Sequence, residues 1–80
     1  LERKRGVKVN SRPFDELSNA IGSTVLVKLK GGKFIRGKLL AFDVHLNVIL
    51  SEAEELDGEE VQAKHPKIIV RGDNIIFITL

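Results

Sequence analysis

The sequence predicts a mainly β domain, one short helix followed by five short strands curled into a small, strongly bent open barrel. Three observations predict it. Val25, Val27 and Leu29 alternate with Thr24, Lys28 and Lys30, the period-two pattern of a half-buried strand. Turn signals follow at short intervals, at Gly31-Gly32, Asp57-Gly58 and Arg71-Gly72-Asp73. Gly37 lies inside a long strand pattern, where glycine marks a sharp bend or a close backbone approach.

Taken in order, the chain opens on a polar, basic run from Leu1 to Arg12, with Arg3, Lys4, Arg5, Lys8 and Arg12 set against Glu2. It reads as a solvated arm (residues 1–12), and Arg3, Lys4 and Arg5 are its candidates for phosphate contacts. Residues 13–80 form a single domain. Pro13 to Ile21 reads as a helix: proline suits the first turn, and Asp15 and Glu16 suit the positive end of the dipole. Phe14, Leu17 and Ile21 make one apolar stripe, and Gly22 provides the stop. Two turns do not hold alone in water, so this helix must lie on the sheet.

Thr24–Lys30 is the first strand, and Gly31-Gly32 supplies the positive φ of a two-residue hairpin. Lys33–Asp43 is the second and Leu46–Ala53 the third, with almost nothing between them. Asp43, His45 and Asn47 fall at alternate positions and are expected on one side of a strand. The acidic run Glu54–Glu60 reads as a solvated turn with Asp57-Gly58 at its tip. Val61–Val70 is a fourth strand in which Pro66 demands an edge or a break, and Asn74–Leu80 is the last.

Composition narrows the function classes. Eighty residues without cysteine leave no disulfide or thiolate site, and so small a core gains from burial between subunits, which favours an oligomer. A net charge of +2 is too mild to indicate a nucleic-acid partner by itself. No apolar run approaches the roughly 20 residues of a membrane span, and no signal-peptide pattern occurs. The expectation is a soluble intracellular, cytoplasmic domain without a membrane partner. His45 and His65 are not paired in the pattern, and neither a nucleophile constellation nor metal-ligand spacing appears. A nuclease using His45 and Asp43 is therefore disfavoured, and no catalytic residue, metal or cofactor is expected.

The residues then carry a resemblance. Gly32–Leu50, with Gly37, Leu39, Phe42-Asp43, Asn47 and Leu50, resembles the first Sm motif, and Ile68–Ile76, IIVRGDNII, resembles the second. Over Arg12 to Leu80 the chain resembles the Sm-like (LSm) family and is most like its archaeal members. Pro66 is unusual where the fourth strand begins. The resemblance implies a five-stranded, strongly bent antiparallel sheet capped by the helix, closed by strand pairing into a ring. The ring is commonly of seven subunits, with six and eight as alternatives. It also implies binding of uridine-rich single-stranded RNA at the central pore, a scaffold or chaperone role in RNA processing, and RNA-processing proteins as partners. A ring-shaped protein-interaction scaffold, with RNA binding secondary, is the alternative.

By the same resemblance, His45 and Arg71 sandwich a uracil, Asn47 hydrogen-bonds its edge, and Asp73 belongs to the RNA-binding set. Asp43 supports them by orienting Arg71 or fixing the Asn47 amide, and Gly72 leaves room for backbone beside the nucleotide. On the residues alone, His45 is a surface histidine in a turn, Asn47 a turn amide, and Arg71 and Asp73 a local ion pair.

Overall fold

The computed structural model describes residues 12–80. The basic arm, with Arg3, Lys4 and Arg5, lies outside the described residues except for Arg12. A helix, α1 (Pro13–Ala20), leads into β1 (Thr24–Leu29), β2 (Phe34–Phe42), β3 (Val48–Asp57), β4 (Glu60–Val70) and β5 (Ile75–Thr79). All neighbours pair antiparallel in one sheet of order β4-β3-β2-β1-β5, so β4 and β5 are its edges. The mainly β architecture agrees with the sequence.

Pro13 opens α1, the Glu16 amide donates to the Arg12 carbonyl at 3.0 Å, and Gly22 at φ +92° ends the turn. The buried stripe is narrower than its spacing implies. Leu17 and Ala20 enter the core, whereas Phe14 and Ile21 stay exposed. Ile21 is the C-cap with ψ 131°, so helical periodicity no longer applies to it, and Phe14 lies against Phe42 with ring centroids 5.7 Å apart.

Gly31 and Gly32 both take positive φ, as the hairpin requires. The connection is longer than two residues, however: β1 ends at Leu29, whose amide bonds the Lys33 carbonyl, and the Lys30 amide turns away to the Asn74 carbonyl. Gly37 marks the bend. A Cβ there would sit 3.1 Å from the Ser51 carbonyl oxygen and 3.2 Å from the Ala53 Cα. The partner strand contributes as much, because register slips between Arg36 and Lys38 and Glu52 takes φ 49°, a bulge that tightens the curl.

The acidic run is not a turn. β3 continues to Asp57 because its carboxylates meet cations on both neighbouring strands. Glu54 bonds Arg36 at 2.6 Å and lies 3.9 Å from Lys64, while Glu55 meets the His65 Nε2 at 2.5 Å. The Arg36 hydrogen bond holds the Glu54 carboxyl below its usual range against the opposing effect of burial, and the Arg36 and Lys64 charges add to it. Only the tip turns, with Gly58 at φ 64°. Pro66 falls on edge strand β4, where a missing N–H is tolerated. Inside the curl, Val25, Val27, Leu39, Val48 and Leu50 are fully buried and pack with Leu17 and Ala20 of α1.

Candidate nucleic-acid interface

Residues 43–47 are not strand. β2 ends at Phe42 and β3 begins at Val48, so alternation along a strand is not what gathers Asp43, His45 and Asn47. A tight loop does it instead. Asp43 Oδ1 accepts the backbone N–H groups of His45 at 2.9 Å and Asn47 at 3.1 Å, a turn built on one carboxylate. The Leu46 amide bonds the Asp43 carbonyl at 3.0 Å, and Leu46 itself takes φ 60°, uncommon for a residue with a branched side chain.

Asn47 is then clamped from both ends. Its Nδ2 donates to Asp43 Oδ2 at 3.0 Å, and its Oδ1 accepts the Gly72 N–H at 2.8 Å. A carboxylate only accepts and a peptide N–H only donates, so these two contacts fix which end of the amide is oxygen. The Asn47 amide bond lowers the Asp43 carboxyl below the usual aspartate value. Burial opposes that shift, and the amides of Asn47 and His45 and the His45 charge reinforce it.

The second loop arrives between β4 and β5, where Gly72–Asn74 forms one turn of 3₁₀ helix. A Cβ on Gly72 would fall on the His45 carbonyl oxygen and 2.9 Å from the Leu46 carbonyl carbon. The glycine therefore leaves room for backbone, and the backbone it admits is that of the 43–47 loop. Arg71 donates to Asp73 at 3.1 Å with both side chains exposed. Of the two roles considered for Asp43, fixing Asn47 is the one present; the carboxylate on Arg71 is Asp73.

His45, Asn47, Arg71, Gly72 and Asp73 line one shallow concavity of about 450 Å³. Asn47 and Arg71 also border a more apolar one of about 400 Å³, walled by Ala41, Phe42, Ile49 and Ile69. An exposed imidazole, an exposed guanidinium and an oriented amide are groups that suit an unpaired base: two flat surfaces and a donor–acceptor edge. What the sequence reading missed is the Gly72 N–H as a partner of Asn47, and the left-handed Leu46. The glycine gave a signal in its Arg-Gly-Asp setting. Leu46 gave none.

Among the described residues no group of three His, Cys, Asp or Glu is placed to hold a metal ion, and no helix is long and apolar enough to cross a membrane.

Comparison with known proteins agrees with this fold. The family model of the LSM domain matches residues 15–80. An Sm-like protein of Methanosarcina acetivorans is 42% identical over 69 residues, covering 86% of this chain and 96% of that protein. One from Pyrococcus furiosus is 47% identical over 68 residues, covering 85% and 90%. Among solved structures, the Pyrococcus abyssii Sm protein in complex with a uridine heptamer superposes with a TM-score of 0.84 at 42% identity, covering 86% of this chain and 97% of that one. A heptameric archaeal Sm protein superposes with a TM-score of 0.75 at 44% identity, covering 80% and 93%.

Proposed function

The chain belongs to the LSM, or Sm-like, family, and on that premise we propose that it is a ring-forming protein that holds short uridine-rich single-stranded RNA at a central pore. Its role is that of a non-enzymatic scaffold or chaperone in RNA processing inside the cell. The observation that carries the reading is the clamped Asn47 amide. With one N–H spent on Asp43 and one lone pair on Gly72, it keeps one N–H and one lone pair for a base. Uracil offers the matching edge, an N3–H donor beside the O4 acceptor. His45 and Arg71 supply the faces between which the ring stacks, and Asp73 holds the guanidinium. The relative solved with a uridine heptamer supports this choice of base.

Ring closure follows from the edges. β4 and β5 each leave one side of the sheet unpaired, and both carry exposed apolar side chains, among them Ile69 and Ile76. Head-to-tail pairing of these edges with a fixed rotation closes a ring. The heptameric relative supports seven subunits. By their charge alone, Arg3, Lys4 and Arg5 of the arm are candidates for further phosphate contacts.

The test is fluorescence anisotropy with seven-nucleotide oligo-U, oligo-C and oligo-A at two salt concentrations, alongside the mass from light scattering. The expected result is a mass several times that of one chain and tightest binding to oligo-U. A monomeric mass at micromolar concentration, or equal affinity for the three oligonucleotides, overturns the proposal.

A further inference from the structure

The 43–47 loop holds a leucine where its backbone suits glycine or asparagine. Leu46 takes φ 60°, the left-handed region in which a Cβ crowds the following carbonyl oxygen. Glycine escapes that crowding and asparagine tolerates it, so a leucine stays there only if its surroundings hold it. The hydrogen bonds of the loop do not account for the residue type. The Leu46 amide bonds the Asp43 carbonyl at 3.0 Å, and Asp43 Oδ1 accepts the amides of His45 and Asn47, contacts that any side chain at position 46 would allow.

The side chain supplies the reason. It lines an apolar groove of about 280 Å³ between α1 and β5, together with Pro13, Leu17, Ile76 and Ile78. Leu46 is 37% exposed, against 73% for Val44 two residues earlier, so one apolar side chain of the loop is seated and the other is not. His45 and Asn47, on either side of Leu46, line the separate polar concavity with Arg71. Gly72 borders both, and a Cβ on it would lie 3.0 Å from the Leu46 carbonyl oxygen. The chain therefore turns at Leu46 so that this side chain enters the groove while its two neighbours face the polar concavity. Removing an apolar side chain from water is favourable and opposes the crowding of the backbone.

We propose that Leu46 is a positioning residue for the uridine site: burial of its side chain in the α1–β5 groove offsets the cost of the left-handed backbone and so fixes how His45 and Asn47 are presented. This role rests on the reading of His45 and Asn47 as base contacts, and the leucine acts through them. Leu46→Gly relieves the crowding but releases the anchor and widens the freedom of the backbone. The loop then takes the base-binding arrangement only part of the time, and apparent affinity falls in proportion to that fraction. The Asn47 amide loosens with it, since the 2.8 Å bond from the Gly72 N–H needs both loops in place.

The experiment uses the full chain, with oligo-U and oligo-C in anisotropy, amide exchange at Gly72 in the RNA-free protein, and the assembly mass of every variant. Leu46→Gly and Leu46→Asn suit the left-handed backbone but not the groove. Both are expected to weaken oligo-U about tenfold, as for a loop competent about one-tenth of the time, and to speed exchange of the Gly72 amide. Leu46→Met refills the groove and should restore both readouts. Val44→Asn removes an apolar side chain from the same loop outside the groove and should leave both unchanged; an equal loss there refutes the role of the groove. If Leu46→Gly binds oligo-U as tightly as the parent and keeps its Gly72 amide protected, the side chain positions nothing and the role is refuted. Leu46→Met as weak as Leu46→Gly refutes the apolar anchor. The groove adjoins the β5 edge, so loss of assembly mass together with binding makes Leu46 an interface contact, which also refutes it. A parent that binds oligo-U and oligo-C alike fails the uridine reading instead, and Gly72 exchange then decides the positioning role by itself.

Discussion

Removing the Asp43 carboxylate tests how this site tells uracil from cytosine. The two bases present reversed edges, N3–H and O4 in uracil against a bare N3 and an amino group in cytosine. A free asparagine amide matches either by turning over, so preference comes from whatever prevents the turn. Two contacts prevent it here: Asn47 Nδ2 to Asp43 Oδ2 at 3.0 Å, and the Gly72 N–H to Asn47 Oδ1 at 2.8 Å. Flipped, the amide would aim oxygen at a carboxylate and NH₂ at a peptide N–H. Asp43→Ala removes the first contact and leaves the second. A hydrogen bond to a charged group is stronger than a neutral one, and exposure to solvent weakens this one, so the U-over-C ratio should fall no more than about tenfold. Some preference survives, because Gly72 still opposes the turn. Total affinity drops less, provided the loop persists without the two backbone bonds that Asp43 accepts. Asn47→Ala should lose both affinity and preference. The assay is competition of oligo-U against oligo-C for each variant, with assembly mass and amide exchange at His45 and Asn47 recorded alongside. An Asp43→Ala protein with its parent's full U-over-C ratio refutes the lock.

Other outcomes follow from the same contacts. Gly72→Ala should displace the 43–47 loop and abolish oligo-U binding with the assembly mass kept, since its Cβ would overlap the His45 carbonyl; retained binding in anisotropy contradicts the loop contact. Arg71→Ala should weaken oligo-U by about 1–3 kcal/mol per site without changing mass, the range for a lost stacking partner; a protein that dissociates instead assigns Arg71 to the assembly. The U-over-C preference should also depend on pH in acid only. The folded-state pKa of Asp43 is depressed, so the ionised lock is fully present above the ordinary aspartate value and is lost as pH falls through the depressed one. A preference that fades between pH 7 and 5 would point to another group. Leu39→Ala, at a fully buried position facing the core, should cost about 2–5 kcal/mol in urea unfolding, and a smaller loss would mean that the curl repacks around the gap.

The strands were legible in the sequence wherever one face is buried, because burial imposes a period of two that the residues must display. Val25 and Val27 show it, and so does Gly37, whose missing side chain is required by the Ser51 and Ala53 backbone. The pattern misled where its cause was different. Glu54 and Glu55 look like a solvated turn because sequence alone cannot show Arg36, Lys64 and His65 standing opposite them on neighbouring strands. Asp43, His45 and Asn47 share the spacing of a strand but converge through a loop in which Leu46 reverses the chain, a conformation its residue type does not announce. That these polar residues stand at turns could be read, and how the two turns join could not. The first depends on residue types, whereas the joining depends on a loop 25 residues away delivering one peptide N–H to Asn47. That distance has a consequence for how the site holds its shape. Each loop is braced by the other, Gly72 by the 43–47 backbone and Asn47 by the Gly72 amide, so displacing either should loosen both together.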